Sequence, residues 1–163
     1  KTMKRLFVIA TMLLLMVMRA EAQNIRLGER IPTIDVHSSM GTALDLIDKE
    51  FVCLVFIHSN SLPCIEALDT FRSTTNKVAD KMAIVLLTAE QRSAEQDIVA
   101  RFVDSNTTVA FDKEHKTFNA FGIHYVPFGV IYDTKRRHTQ WFGSIQHLDE
   151  QTLTYITHKA KKL

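Results

Sequence analysis

Seven apolar residues in a row, Phe51-Val52-Cys53-Leu54-Val55-Phe56-Ile57, stand out from an otherwise mixed chain. A run of that length, rich in β-branched and aromatic residues, predicts a strand buried on both faces. Residues 82–87 predict a second buried strand. Between them, Cys64, Leu68, Phe71 and Val78 recur at helical spacing. The stretch 61–81 is therefore predicted as a helix with one inward face. Ser61 stands where an N-cap belongs, and Pro63 falls in the first turn, where its missing N–H has no partner to lose. Further along, residues 93–103 read as a helix with Ala94, Ile98 and Phe102 on one stripe. Residues 107–111 read as a short strand. Residues 113–121 read as a helix that Gly122 closes as a left-handed stop. A strand over 128–132, a turn near Asp133-Thr134-Lys135 and a return over 138–142 form a hairpin. Asp149 then caps a last helix carrying Leu153 and Ile156. Upstream, 33–37 is a short strand candidate, followed by a turn at Ser38-Ser39-Met40-Gly41. Strands that alternate with helices and then end in a hairpin and a helix predict an α/β sheet with a partly antiparallel edge.

The first 22 residues follow a different pattern. Lys4 and Arg5 precede an apolar run over 6–18 that only Thr11 breaks, and Ala20-Glu21-Ala22 follows. Basic, then apolar, then small-x-small is the order of a secretory signal, with cleavage expected after Ala22. The run is shorter than the roughly 20 residues of a membrane span, so no stable span is expected after cleavage. Residues 23–163 then form one domain, opening on a polar lead-in over 23–30. Removal of four bases and one acid takes the formal charge from +2 to −1. The basic balance thus belongs to the signal, and no electrostatic case for nucleic acid or anionic membranes remains. Lys135, Arg136 and Arg137 read as a solvated turn. Hydrophobic content of 46% and charged content of 23% suit a folded domain rather than a disordered one.

Export, periplasmic in a bacterium, puts Cys53 and Cys64 where disulfides can persist. Two cysteines do not make a disulfide scaffold. Cys53 lies mid-strand and reads as a structural thiol, too far into the strand for a ready bridge to Cys64. Cys64 is open to two readings. It shares a face with Leu68 and Phe71, which suits a core thiol. It also stands in the first turn of a helix, where a thiolate is stabilised.

The strand ending in Phe56-Ile57-His58-Ser59-Asn60, then Ser61-Leu62-Pro63-Cys64, then a helix, resembles the strand–CxxC–helix unit of thioredoxin-like proteins. The segment Gly122-Ile123-His124-Tyr125-Val126-Pro127-Phe128-Gly129 is similar to that family's cis-proline segment. Spacing and the Ile31-Pro32 lead-in suit the exported TlpA/ResA-type disulfide reductases. The resemblance implies a central mixed sheet with helices on both faces. It also implies a cis Pro127 facing the motif, with the Val126 backbone pairing an extended or thiol-bearing protein segment. Asn60 and Pro63 would border that cleft.

The departures fall on the chemistry. Disulfide exchange needs an attacking thiolate and a second, resolving thiol. Ser61 occupies the attacker's position, and a serine hydroxyl forms no disulfide. Asn60 replaces the aromatic residue before the motif, and Val55 replaces a polar residue beneath it. At most, single-thiol exchange at Cys64 is left, with Ser61 as cap or hydrogen-bonding neighbour. A binding module that keeps the cleft without the chemistry is the alternative. A peroxiredoxin-like peroxidase also places Ser or Thr three residues before its cysteine. That family, however, has a proline where Ile57 stands and an arginine where Pro127 stands. His58 and His124 flank the cleft and could tune a thiol. Their spacing with Cys64 supports no metal site, and no cofactor is expected. Trp141, on the late hairpin, reads as packing.

Overall fold

The apolar run at the middle of the chain becomes the centre of the sheet. The computed structural model describes residues 24–36, 38–89 and 96–159; the expected signal segment, His37 and residues 90–95 lie outside them. Strand β1 is Ser38–Met40 and β2 is Phe51–Ile57. Helix α1 spans Leu62–Thr75 and a 3-10 turn at Asn76–Val78 follows, so the helical segment ends three residues short of the predicted 81. Then come β3 Met82–Thr88, α2 Gln96–Ala100, β4 Thr107–Phe111 and α3 Lys116–Phe121. The hairpin is β5 Phe128–Asp133 and β6 Thr139–Gly143, and α4 Glu150–Lys159 follows.

The six strands are ordered β1-β4-β3-β2-β5-β6. Strand β2 pairs parallel with β3 (Phe51↔Met82) and antiparallel with β5 (Phe56↔Phe128). Pairing on both edges and burial on both faces explain why no polar residue occurs in it. Side chains alternate across a strand. Phe51, Cys53, Val55 and Ile57 therefore enter the core shared with α1, while Val52, Leu54 and Phe56 enter the opposite core with Phe118 and Phe121 of α3. Every residue of β2 is at most 2% exposed. Each such Leu, Ile or Phe side chain contributes roughly 1.5–3 kcal/mol by burial.

Three expected elements shift. The extended stretch over 33–36 is not a strand; the pairing begins at the predicted turn, where Ser38 lies opposite Phe111. Ile34 and Val36 do pack against the core. The hydroxyl of Thr117 takes the place of a ladder partner: it accepts from the Asp35 N–H and donates to the Asp35 carbonyl, both at 2.9 Å. The reversal falls at Gly41, whose φ of +100° suits glycine.

Helix α2 ends at Ala100, three residues before the expected end; Phe102 is buried just past it, as expected, whereas Ile98 is 42% exposed and Val99 is the buried residue in its place; Ala94 lies outside the described residues. Helix α3 starts three residues late. A turn comes first, in which the His115 N–H donates to the Asp112 carbonyl at 2.9 Å. Its end is as expected, with Gly122 at φ 64° donating to the Asn119 and Phe118 carbonyls. At α4, Asp149 Oδ1 accepts from the Thr152 N–H at 2.8 Å, which is the predicted cap.

Candidate cleft at the cis-proline edge

Strands β2, β3 and β4 all finish at one end of the sheet, and β5 begins there. Phe56 pairs with Phe128. Continuing that antiparallel register sets Pro127 opposite Ile57 and Val126 opposite His58. The Val126–Pro127 peptide bond is cis, and Pro127 is buried. Val126 is half-buried and packs against both cores, so it sits astride that end of the sheet. The fold thus brings the 58–61 loop and the cis-proline segment together, as the resemblance implies.

The loop is closed by the Ser61 N–H donating to the His58 carbonyl at 3.1 Å. Ser59 is buried, whereas His58 and Asn60 are exposed; all three have interaction partners within the protein. The His58 ring stacks against the Phe118 ring at 6.4 Å between centroids.

Ser61 holds the N-cap position of α1, with an extended φ of −88° and ψ of 109°. Its carbonyl accepts the Ile65 N–H at 3.1 Å. The side chain makes no capping hydrogen bond, which corrects the expected role of the hydroxyl. Ser61 is half-exposed, and Leu62 and Pro63 are exposed.

Cys64 is 0% exposed and lies in the α1-side core with Leu68 and Phe71. Of its two readings, this geometry is that of the core thiol. Cys53 is equally buried, and burial pushes its thiol well above the ordinary range. Both cysteines are free. Cys53 lies four residues before the end of β2, roughly 13 Å down the strand at ~3.3 Å per residue. The motif helix begins only past that end.

Two residues at this edge escaped sequence reasoning. Tyr125 is 53% exposed beside the cis-proline and packs edge-on against Phe128 at 5.1 Å. Leu62 is 67% exposed at the start of α1. Both leave apolar surface exposed, one beside the cis-proline segment and one at the start of α1. The signal for both was their place next to Pro127 and Ser61, not their residue type. Among the described residues, no group of three or more His, Cys, Asp or Glu side chains could hold a metal. No helix among them is long and apolar enough to cross a membrane. Trp141 is half-buried and packs against the α1-side core, as expected of a packing residue.

No family model matches the sequence, and comparison with curated proteins finds no match. Solved structures do match. A putative thiol:disulfide interchange protein DsbE from Chlorobium tepidum aligns with a TM-score of 0.64 and 16% identity, over 82% of this chain and 99% of that one. A thioredoxin-like protein from Aeropyrum pernix aligns with a TM-score of 0.53 and 12% identity, over 72% and 82%. The reduced 2-Cys peroxiredoxin of Plasmodium vivax aligns with a TM-score of 0.59 and 12% identity, over 83% and 97%. At such identities the likeness is one of fold. This chain has a thioredoxin-like fold, an architecture it shares with both the putative thiol:disulfide interchange protein and the 2-Cys peroxiredoxin.

Proposed function

We propose that this protein is an exported thioredoxin-fold binding module. In this reading it takes extended protein segments along the Val126–Pro127 edge and does not turn over disulfides. The observation that carries it is the contrast between the two motif positions. The half-exposed one is Ser61, which has no sulfur, and the one with sulfur, Cys64, is fully enclosed in the apolar core. A thiolate must reach its target to attack it. A peroxidase needs the same access, which counts against that alternative as well. What is left at the edge suits recognition: a main-chain position before a cis proline, with Leu62, Pro63, Asn60 and Tyr125 around it. An added strand gains main-chain hydrogen bonds, with side-chain contacts setting preference. Export rests on the residue order of the first 22 positions.

The test is a pair of assays on one preparation. The wild-type protein should fail to reduce insulin with dithiothreitol as electron donor, and should leave peroxide unconsumed. The same protein should bind labelled extended peptides in fluorescence anisotropy, and Val126→Pro, which removes the main-chain donor, should weaken that binding at least about tenfold. Catalytic insulin reduction, or no binding across a peptide library, would overturn the reading.

A further inference from the structure

Near the cleft, one buried polar group has no place in that reading. Asp112 follows β4 and is 0% exposed. Its main chain is fixed on both sides: its N–H donates to the Thr88 carbonyl at 2.8 Å, and its carbonyl accepts from the His115 N–H at 2.9 Å. Carboxyl oxygen Oδ2 accepts the Phe118 N–H at 2.8 Å. Oxygen Oδ1 is enclosed and has no hydrogen-bond partner among the described residues. Enclosing a carboxyl oxygen in this way opposes folding. Helix capping alone does not call for it, because Asp149 caps α4 from an exposed position.

What Asp112 holds is more particular than a helix end. The ring of Phe118 stacks on His58 at 6.4 Å and packs edge-on against Phe56 at 5.0 Å. His58 opens the motif loop, and its carbonyl accepts the Ser61 N–H. The carbonyl of Phe118 accepts the Ile123 N–H at 3.0 Å, and Gly122 donates to Asn119 at 3.1 Å. Val126 and cis Pro127 lie three and four residues past Ile123. Phe118 therefore supports one side of the cleft through its ring and the other through its carbonyl.

We propose that Asp112 is a positioning residue: by accepting the Phe118 N–H, it keeps the Ser61 loop and the cis-proline segment in register. The inference rests on the binding reading for its functional meaning, since the cleft it sets is the one proposed to take a partner. Its test needs no partner, so the two fail separately. Hydrogen–deuterium exchange followed by mass spectrometry reads residues 58–62 and 122–127 directly. Asp112→Ala should speed exchange in both segments at least about tenfold and leave β3 unchanged, because a buried donor loses its acceptor. Asp112→Asn keeps an acceptor for Phe118 and should stay within about threefold of wild type. Asp149→Ala, which removes a cap elsewhere, should leave both segments at their wild-type rates. Loosening confined to 113–118, an Asn variant as loose as the Ala variant, or the same effect from Asp149→Ala would each overturn the proposal. If Asp112→Ala does not fold, amide exchange by NMR on the wild type decides. The amides of Ser61, Phe118 and Ile123 should then share one opening below global unfolding, and separate openings would refute the coupling.

Discussion

Replacing Cys64 with serine tests both the core and the functional reading in one experiment. The sulfur is 0% exposed in a cluster with Ile57, Leu68, Phe71 and Ile145. Serine is close in shape but brings a hydroxyl into that cluster. Buried threonines elsewhere in the chain satisfy theirs by donating to the carbonyl four residues back, as Thr75 does to Phe71 and Thr157 to Leu153, both at 3.0 Å. At position 64 the residue four back is Asn60, which precedes the helix, so only the longer bond to the carbonyl three residues back, that of Ser61, is on offer, the kind Thr75 and Thr157 make at 3.2 and 3.3 Å. A buried hydroxyl satisfied that poorly costs up to about 1–3 kcal/mol. Cys64→Ala only removes an apolar atom and leaves a small void, a loss of about 1–1.5 kcal/mol. Serine should therefore be the more damaging change, although it is the more similar in shape. Urea unfolding followed by circular dichroism should show both midpoints lowered at unchanged slope, with the serine variant lower. Thiol labelling completes the assay. In the wild type, Cys64 and Cys53 should react with Ellman's reagent only once denaturant opens the core. The reasoning is refuted if Cys64→Ser unfolds at the wild-type midpoint while Cys64 labels rapidly in the native protein near pH 7. The sulfur would then be a surface nucleophile, and the binding-only reading would fall with the packing argument.

Gly129→Ala should destabilise by about 1–3 kcal/mol, because the new Cβ would lie 2.9 Å from Ile145 Cγ2 and 3.0 Å from Trp141 Cζ3; a lowered melting temperature with altered Trp141 fluorescence is expected, and an unchanged one would refute the close packing. Ser61→Cys puts a second thiol three residues before Cys64, within bridging range for the start of a helix. Diamide, acting on the half-exposed new thiol, should then remove two hydrogens from the intact mass, and a pair that stays reduced would place the two side chains beyond bridging distance. Asp149 is held below the usual carboxylate range by the Thr152 N–H. Its contribution is present above the unfolded carboxylate pKa and is lost as pH falls through the lower folded value. Asp149→Ala should accordingly lower the melting temperature at neutral pH and make no difference in strong acid, and an equal effect at both would show that the carboxylate charge is not what stabilises α4.

Periodicity reports burial, and the fold is legible in the sequence where burial decides it. The limits of β2, β4 and the end of α3 follow from apolar runs and a glycine stop. Legibility fails where a hydrogen bond from far along the chain decides instead. Ile34 and Val36 alternate as a strand should, yet the hydroxyl of Thr117, 82 residues beyond Asp35, takes the ladder's place. Ser38 and Ser39 look like a turn because an edge strand, with one side unpaired, needs little apolar content. At the cleft, Val126, Pro127, Asn60 and Ser61 could be located through the resemblance, and the position of Ser61 at the helix start was correct although its hydroxyl forms no cap. Asp112 was illegible for the same physical reason as β1. Between Phe111 and Lys113-Glu114 it reads as the start of a solvated turn, since nothing local shows that β4 is covered by β1 and β3. Both missed interactions converge on α3, where Thr117 and Phe118 receive them. A six-residue helix with only two or three apolar positions has a weak pattern of its own. Its placement therefore rests on those long-range bonds, and with it the setting of the cis-proline edge that α3 leads into.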